Sequence, residues 1–466
     1  MGVSIGRVSR HTAVEVQAEL QVAEGGISPS GMEPIVIAGA GIAGLSLAWR
    51  LANEGRDVLV LEAEDRPGGA IHSRRRDGVL IEEGPFAIPA RAVETLALVR
   101  DLGLGDHLIQ AHSQVRNRFL LWRGQLRPFP QILRDPDFLP KTAVLRALAE
   151  PLFPRREPAR ADESVQAFVR RRFGHTVAER LADPLMAGWC AGDPRRLEVA
   201  AAFPEAARLE ASGRSVLYAA IRGGLQVLPL TLRLYSFPSG METLTSALAQ
   251  ALGPRLRLRA PVERIERAGA RFRIHAHGGP YDAGTVVVSA PPGRAAAFVP
   301  EVSSELAAMP QAPVGVVHLC YRTRDLPGPL AGYGWLAPSM ERTDVLGCIW
   351  ASSAFSTHAH GLSLLRVLVG GARDSAFPKE ADELVARARR IVAEVQGIVA
   401  EPLLTDAVVV SIPQYERGHG ARMRRLTGAI PGLSFLGWGY TGMGVERALS
   451  AANGWMADPI AQHRVG

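Results

Sequence analysis

The periodicity of apolar and polar positions changes along the chain, and those changes outline its elements. Pro34-Ile35-Val36-Ile37-Ala38 is a short, unbroken apolar run, the mark of a strand covered on both faces. From Leu45 to Asn53 the spacing is helical, with Leu45, Ala48 and Leu51 on one side, and Gly55 ends the helix. Val58-Leu59-Val60-Leu61 is a second buried strand. Residues 92–220 read as mostly helical, with helices over 164–173 and 176–186 and proline-rich breaks at 128–140 and 151–158. Strand character returns at Leu256-Arg257-Leu258, Val262 to Ile265, Phe272 to His275 and Thr285 to Ser289. The alternating runs Val316 to Tyr321, Val345 to Trp350 and Leu364 to Val369 predict a mostly antiparallel sheet, backed by a helix from Glu380 to Val395. A strand at 433–437 and a helix at 446–456 close the pattern.

The first turn carries the chemistry. Gly39-Ala40-Gly41-Ile42-Ala43-Gly44 lies between strand and helix. Gly39 makes the turn, Gly41 lets the backbone approach a pyrophosphate, and Gly44 lets the helix touch the sheet. The helix N-terminus supplies unpaired N–H groups and positive dipole for phosphates. Glu62 ends the second strand, where it can accept both hydroxyls of an adenosine ribose and repel a 2′-phosphate. Arg66-Pro67-Gly68-Gly69, a hairpin around Asp77-Gly78, and Ile81-Glu82-Glu83-Gly84-Pro85 follow directly. A second glycine pair so near the first suits a cofactor with a flavin and ribityl lying along the backbone, whereas nicotinamide enzymes usually proceed to another β-α unit. A plain glycine turn with a Gly-Pro bend is the alternative. Gly442-Met443-Gly444-Val445 opens the last helix, a second N-terminus able to meet a polar group.

At 466 residues the chain is long enough for two or three domains. Its net charge of +7 is almost wholly arginine, since Lys141 and Lys379 are the only lysines. Such a balance suits anionic substrates or a lipid surface. No nucleic acid is expected: Arg74-Arg75-Arg76 and Arg170-Arg171-Arg172 lack interleaved aromatics and read as solvated faces. Cys190, Cys320 and Cys348 are far apart, without a CxxC pair, and read as core thiols of a reducing compartment. His358 and His360 have no cluster of ligands beside them, so no metal is expected. Residues 1–31 lack an apolar signal core, and Glu15, Glu19 and Glu24 argue against a transit peptide. They read as a disordered leader or a start artefact, with Met32 as an alternative start. No apolar stretch reaches the ~18 residues of a spanning helix.

Several motifs stand in a recognisable order after the glycine turns. They are Asn117-Arg118-Phe119-Leu120, Ala187-Gly188-Trp189-Cys190-Ala191-Gly192-Asp193, Ala202-Phe203-Pro204, and Ser236-Phe237-Pro238-Ser239-Gly240-Met241. Gly332-Tyr333-Gly334-Trp335-Leu336, Ile412-Pro413-Gln414-Tyr415 with Gly418-His419, and Gly439-Tyr440-Thr441-Gly442-Met443-Gly444-Val445 complete the set. From Met32 onward the chain resembles the flavin-dependent porphyrinogen oxidases, the protoporphyrinogen oxidase type, within the monoamine oxidase superfamily.

The resemblance implies an α/β, monoamine oxidase-like fold: a discontinuous Rossmann-like FAD-binding domain, a mixed-sheet substrate domain and a helical membrane-associating insertion. The FAD domain is expected from 32–91, 233–300 and 428–466, the insertion from 92–232, and the sheet domain from 301–427. The implied reaction takes six electrons and six protons from a porphyrinogen, with molecular oxygen as acceptor, at a cytoplasmic membrane surface. A homodimer is compatible with it. FAD is expected against Gly39, Gly41, Ile42, Ala43, Gly44, Glu62, Ala63, Arg66, Gly68, Gly69, Gly84, Pro85, Val262, Gly439, Gly444 and Val445. Arg118 is expected to meet a propionate through its planar fork, Tyr333, Leu336 and Leu368 to line the macrocycle, and Gly188 to leave room for it. No catalytic side chain is expected, because a meso carbon between pyrroles is already a good hydride donor and needs positioning.

The chain departs from the pattern at Trp438, at Ser450 to Asn453, and at Ala70, where amine oxidases carry arginine. Three rivals remain: a coproporphyrinogen oxidase of this fold, a flavin amine oxidase or desaturase, and a non-enzymatic prenyl-protein escort protein. Neither Lys141 nor Lys379 is placed as an amine oxidase lysine, and Glu62 with Gly68-Gly69 argues against an escort protein.

Overall fold

Short, mostly apolar strands form the first sheet of the computed structural model, which describes residues 33–152, 162–211, 215–218 and 233–457. The expected leader 1–31 and Met32 lie outside the described residues, as do parts of the 92–232 segment. The sheet is parallel, in the order Leu256–Arg257, Val58–Leu61, Ile35–Ala38, Thr285–Val288, Leu433–Phe435. Its strands come from three separated parts of the chain.

Alternate residues of each strand enter different cores, as strand geometry requires. Ile35, Ile37, Val58 and Val60 pack with Leu45, Leu51, Leu244 and Leu449 from the helices Ile42–Asn53, Glu242–Leu252 and Val445–Ala457. Val36, Ala38, Val286 and Val288 pack on the other side with Phe272, Ile274, Phe298 and Leu426. Burial on both faces explains why these strands lack a polar alternation.

The second sheet has seven strands, ordered Leu404–Pro413, Gln311–Arg322, Leu362–Gly370, Val345–Trp350, Gly334–Leu336, Arg118–Trp122, Gln125–Phe129. All neighbours are antiparallel except Gly334–Leu336 with Arg118–Trp122. One face packs Val317, Leu319, Trp335, Cys348 and Val367 against Leu384, Ala388 and Val392 of the helix Ala381–Gln396. The other face turns towards the first sheet's loops and the helical segment.

Two differences from the periodicity follow from contacts distant in sequence. Arg118–Trp122 and Gln125–Phe129 are strands inside a stretch that reads as helical, because Leu121 fits the sheet core while Leu120 and Trp122 fit a pocket with Ile132 and Phe138. The arginine triplets are solvated faces only in part: Arg75, Arg76 and Arg170 are exposed, and the other three are drawn into ion pairs. Arg172 is buried against Glu150, Arg171 bridges Glu163 and Glu210, and Arg74 bridges Glu83 and Asp406. Each pair of carboxylates is brought in by folding, which local charge patterning cannot anticipate.

Within 92–211, Val165–Phe173 is a helix whose Ser164 Oγ accepts from the Ala167 amide at 3.2 Å. The expected 176–186 helix is drawn out into His175–Val177, a wider turn Ala178–Ala182 and Asp183–Cys190. Pro184, which has no N–H to give, sits at that junction. The helix Lys141–Leu148 has no buried residue, and Leu145, Leu148 and Leu152 are 66%, 58% and 84% exposed. Among the described residues no helix is long and apolar enough to cross a membrane.

Candidate cofactor and substrate site

The dinucleotide turn is built from glycines that cannot all be replaced for the same reason. Gly39 has φ +110°, and a Cβ there would come within 2.8 Å of the Ala290 amide nitrogen. A Cβ on Gly44 would lie 2.2 Å from the Gly39 carbonyl oxygen, so helix and turn touch there. Gly41 differs: it has ordinary backbone angles, and a Cβ would meet no atom within 4 Å. Its surroundings are open on the side where Ile42 and Ala43 begin the helix, and a phosphate would occupy that space.

Glu62 stands beside this opening. Its carboxylate accepts from the Ala40 amide at 2.6 Å and the Glu64 amide at 2.9 Å, one bond on each oxygen. Lone pairs remain on both for a ribose diol. Ala63 follows it on the surface. The Ala260 amide donates to the Glu62 carbonyl at 2.7 Å, which draws the strand starting at Val262 alongside.

The second glycine segment folds onto the first. The Gly68 amide donates to the Ala40 carbonyl at 2.8 Å, and a Cβ on Gly69 would lie 3.2 Å from the Gly41 Cα. Arg66 holds the loop by donating to the carbonyls of Gly69 at 2.9 Å and Ile71 at 3.2 Å. A Cβ on Gly84 would fall 1.8 Å from the Ala70 carbonyl oxygen, so Gly84 and Pro85 run directly against this loop. On the opposite side, a Cβ on Gly437 would lie 3.4 Å from the Ala43 Cβ, and one on Gly439 would lie 2.5 Å from Pro292. Gly444, at φ +92°, faces open space just before Val445 begins the last helix. The helix-start amides, the Glu62 carboxylate and the side-chain-free glycine segments are thus brought side by side, where they could hold the phosphates and ribose of a dinucleotide. The donor set fits FAD.

Two rows of side chains lie on the face of the seven-stranded sheet turned away from the helix Ala381–Gln396. Residues paired across strands point the same way. One row runs Leu120, Leu336, Gly347, Leu368, Val316, Val408, and it is apolar throughout. Leu336 and Leu368 are half-buried. Gly188 faces this row: a Cβ there would lie 2.4 Å from Leu336 Cδ2. The next row runs Arg118, Gly334, Ile349, Arg366, His318, Asp406.

Arg118 has its guanidinium 4.3 Å from the centre of the Tyr333 ring, and its enclosed Nε has no hydrogen-bond partner. Burial holds its pKa below the ordinary arginine value, with the Tyr333 oxygen opposing. Among the described residues no carboxylate forms an ion pair with Arg118, so this guanidinium could take an anionic group. Tyr333 also connects the two sets of residues, its ring centre 6.3 Å from that of Phe86, just past Gly84 and Pro85.

Arg366 and His318 are functional candidates that the motifs did not single out. Arg366 donates to the Gly84 carbonyl at 2.8 Å and the Glu83 carbonyl at 3.2 Å, joining the sheet to the cofactor-side bend. His318 is fully enclosed beside it, and burial holds the ring neutral by pushing its pKa well down. Their signal in the sequence is a cation or imidazole inside the apolar runs Leu364 to Val369 and Val316 to Tyr321.

His358 bonds the Phe237 carbonyl at 3.2 Å, and Cys190, Cys320 and Cys348 are buried thiols. Among the described residues no group of three or more His, Cys, Asp or Glu is placed to hold a metal.

The flavin containing amine oxidoreductase family matches residues 42–453. Chloroplastic protoporphyrinogen oxidase of Nicotiana tabacum is 32% identical over 90% of this chain and 83% of its own. Protoporphyrinogen oxidase of Homo sapiens is 30% identical over 90% of this chain and 96% of its own. Coproporphyrinogen III oxidase of Bacillus subtilis is 26% identical over 92% and 98%. Among solved structures, one from Exiguobacterium sp. has a TM-score of 0.78 at 23% identity, covering 94% of this chain and 100% of its own. Cyclohexylamine oxidase of Brevibacterium oxydans has a TM-score of 0.66 at 18% identity, covering 92% and 99%. At these identities the two structures establish the fold. The chain belongs to the flavin containing amine oxidoreductase family, as a FAD-dependent oxidoreductase related to the protoporphyrinogen oxidases.

Proposed function

We propose that the protein oxidises protoporphyrinogen IX to protoporphyrin IX, the aromatic macrocycle of heme synthesis. The observation that carries this reading is the junction of Arg118, whose enclosed Nε has no hydrogen-bond partner among the described residues, with an apolar row running from Leu120 to Val408. A protoporphyrinogen has that same division: propionates at one edge and an apolar ring bearing vinyl and methyl groups. Bound FAD would supply hydride acceptance in three two-electron steps, with molecular oxygen as the final acceptor.

The chain's own residues bind and orient. Arg118 would take a propionate in a bidentate pair while Tyr333 stacks against its guanidinium. Leu336 and Leu368 would press on the ring face and exclude water, and Gly188, where a Cβ would come within 2.4 Å of Leu336 Cδ2, would let its helix pack directly on Leu336 beside the ring. Gly39, Gly41, Ile42, Ala43 and Gly44 would hold the pyrophosphate, Glu62 the ribose, and Ala63 with Val262 the neighbouring adenine. Arg66, Gly68, Gly69, Gly84, Pro85, Gly439, Gly444 and Val445 would form the wall along the rest of the cofactor. Three hydrides would leave meso carbons, and the three protons would leave as two from pyrrole nitrogens and one from the remaining meso carbon through tautomerisation, with no side chain of this site assigned as base.

Coproporphyrinogen III, with four propionates, is the second reading, and the Bacillus subtilis relative favours it. Against it, Arg366 is engaged by two backbone carbonyls and Arg373 by Asp183, which leaves Arg118 as the cation suited to a propionate beside the apolar row. The exposed Leu145, Leu148 and Leu152 support a peripheral seat on a membrane, from which a poorly soluble ring could enter.

Anaerobic mixing separates these readings. The purified protein should show the visible absorption of bound flavin, and protoporphyrinogen should bleach it faster than coproporphyrinogen. A colourless protein that stays colourless after reconstitution would overturn the assignment. Faster bleaching by coproporphyrinogen would move it to the second reading.

A further inference from the structure

The segment from Gly437 to Gly444 borders the dinucleotide turn, and several of its backbone groups are bonded by side chains from another part of the chain. Tyr415, at the end of the strand Leu404–Pro413, is 2% exposed. Its hydroxyl donates to the Trp438 carbonyl at 2.8 Å and accepts from the Gly442 amide at 2.7 Å. His419 is 5% exposed and stacks on the Tyr415 ring, with centres 3.9 Å apart and planes 13° apart. Its Nε2 donates to the Tyr440 carbonyl at 3.3 Å. Three backbone groups of one glycine-rich segment are therefore satisfied by two stacked side chains.

The pair is itself anchored in the helical segment. The Glu198 amide donates to the Tyr415 carbonyl at 2.7 Å, and the Glu198 carboxylate accepts from the amides of Gly418 at 2.9 Å and Gly420 at 3.3 Å. At the far end, Tyr440 donates its hydroxyl to the Ala290 carbonyl at 2.8 Å, beside Gly39. A continuous set of hydrogen bonds thus runs from the helical segment through Tyr415 and His419 to the dinucleotide turn. With Gly437 at φ +115°, Gly442 at φ +147° and Gly444 at φ +92°, the segment has unusual backbone freedom of its own. Its own bonds, from the Tyr440 and Thr441 amides to the Gly437 carbonyl at 2.9 Å each, close its first turn, and the external bonds fix where that turn sits.

We propose that Tyr415 and His419 are positioning residues for FAD, which set the segment 437–444 against the cofactor without touching the reacting atoms. This rests on the placing of FAD in the groove given above. Burial pushes the Tyr415 hydroxyl up and His419 down to about 4, so both stay neutral and keep their donor roles at ordinary pH.

The test uses the full-length holoprotein and two readouts: the rate of FAD release into ultrafiltrate and the visible circular dichroism of the bound flavin. Tyr415→Phe keeps the ring and its stacking and removes only the hydroxyl. We expect FAD release about tenfold faster and an altered flavin dichroism. His419→Gln keeps a side-chain donor and loses the stack, so it should give a smaller change of the same kind. A Tyr415→Phe protein that folds and matches wild type in both readouts overturns the proposal, whatever happens to its Tm. If that variant does not fold, His419→Gln decides: altered release and dichroism support the proposal, and unchanged values overturn it. A wild-type protein without flavin overturns both this inference and the function it rests on. A flavin-bearing wild type with an unaffected variant overturns this inference alone.

Discussion

Glu82 is the residue whose environment is most at odds with its charge. It is 2% exposed, although its carboxylate accepts from Ser73 Oγ at 2.7 Å and the Met241 amide at 2.8 Å. Burial raises its pKa from the ordinary 4.5 to about 7, despite those bonds and the charge of Arg366. The native state therefore holds this proton more tightly than the unfolded chain does. The stability gained is full below about pH 4.5 and is lost as the pH rises through about 7, an effect on the order of 3 kcal/mol. Glu82→Gln should remove that loss. Thermal unfolding should show the variant gaining on wild type as pH rises from about 5 to about 8; a difference in Tm that does not vary with pH would refute it. Arg118 has the complementary prediction. Arg118→Ala should raise KM for protoporphyrinogen about ten- to hundredfold through loss of a charged hydrogen bond, with bound FAD unchanged. Equal KM values in steady-state kinetics would remove Arg118 from the site.

The dinucleotide turn shows at the scale of an element why three similar glycines differ. Gly44→Ala puts a methyl group 2.2 Å from the Gly39 carbonyl, and the resulting strain should cost about 1–3 kcal/mol of stability with or without cofactor. Gly41→Ala meets nothing within 4 Å and has ordinary backbone angles, so the apoprotein should melt within about 0.5 kcal/mol of wild type. Its methyl group would fill the space left for a phosphate, and FAD retention should fall sharply. Calorimetry of the apoproteins together with flavin content after gel filtration separates the two cases. Retention equal to wild type in Gly41→Ala would show that the pyrophosphate lies elsewhere. The turn, its helix and the flanking strands were legible in the sequence because each is set by contacts within a few dozen residues. The strands Arg118–Trp122 and Gln125–Phe129 were not, since the first is held in the sheet by Gly334–Leu336, about two hundred positions away, and the second joins the sheet only through the first.

Across the whole molecule, two ionic or hydrogen-bonded clasps hold the sheet with the apolar row to the sheet with the dinucleotide turn. One is Arg366 on the Glu83 and Gly84 carbonyls, with Arg74 on Asp406 beside it, and the other is Tyr415 and His419 on the segment 437–444. The helical segment contributes Gly188 to the row and presents Leu145, Leu148 and Leu152 outward. Each leucine would contribute about 1.5–3 kcal/mol if fully withdrawn from water, enough together for a reversible seat on lipid. The triple substitution Leu145→Asn, Leu148→Asn, Leu152→Asn should abolish co-sedimentation with phosphatidylglycerol-containing vesicles while leaving flavin content unchanged. Undiminished co-sedimentation would show that a different surface meets the bilayer.

The amino-acid sequence alone determined the local unit: a strand, a glycine turn, a helix, a second strand and Glu62, each dictated by neighbouring residues and backbone preference. It also marked Arg118, Tyr333, Leu336, Leu368 and Gly188 through their motifs, though without any relation in space. Only the tertiary structure decided that Leu336, Gly347 and Leu368 form one row, that Gly188 faces it, and that the enclosed Nε of Arg118 finds no hydrogen-bond partner among the described residues. It also decided that Arg74, Arg171 and Arg172 are drawn into ion pairs, while Arg75, Arg76 and Arg170 stay exposed. The physical reason is that strand register and charge pairing are settled by which distant segments share a core, and that choice is made by the packing of the whole chain.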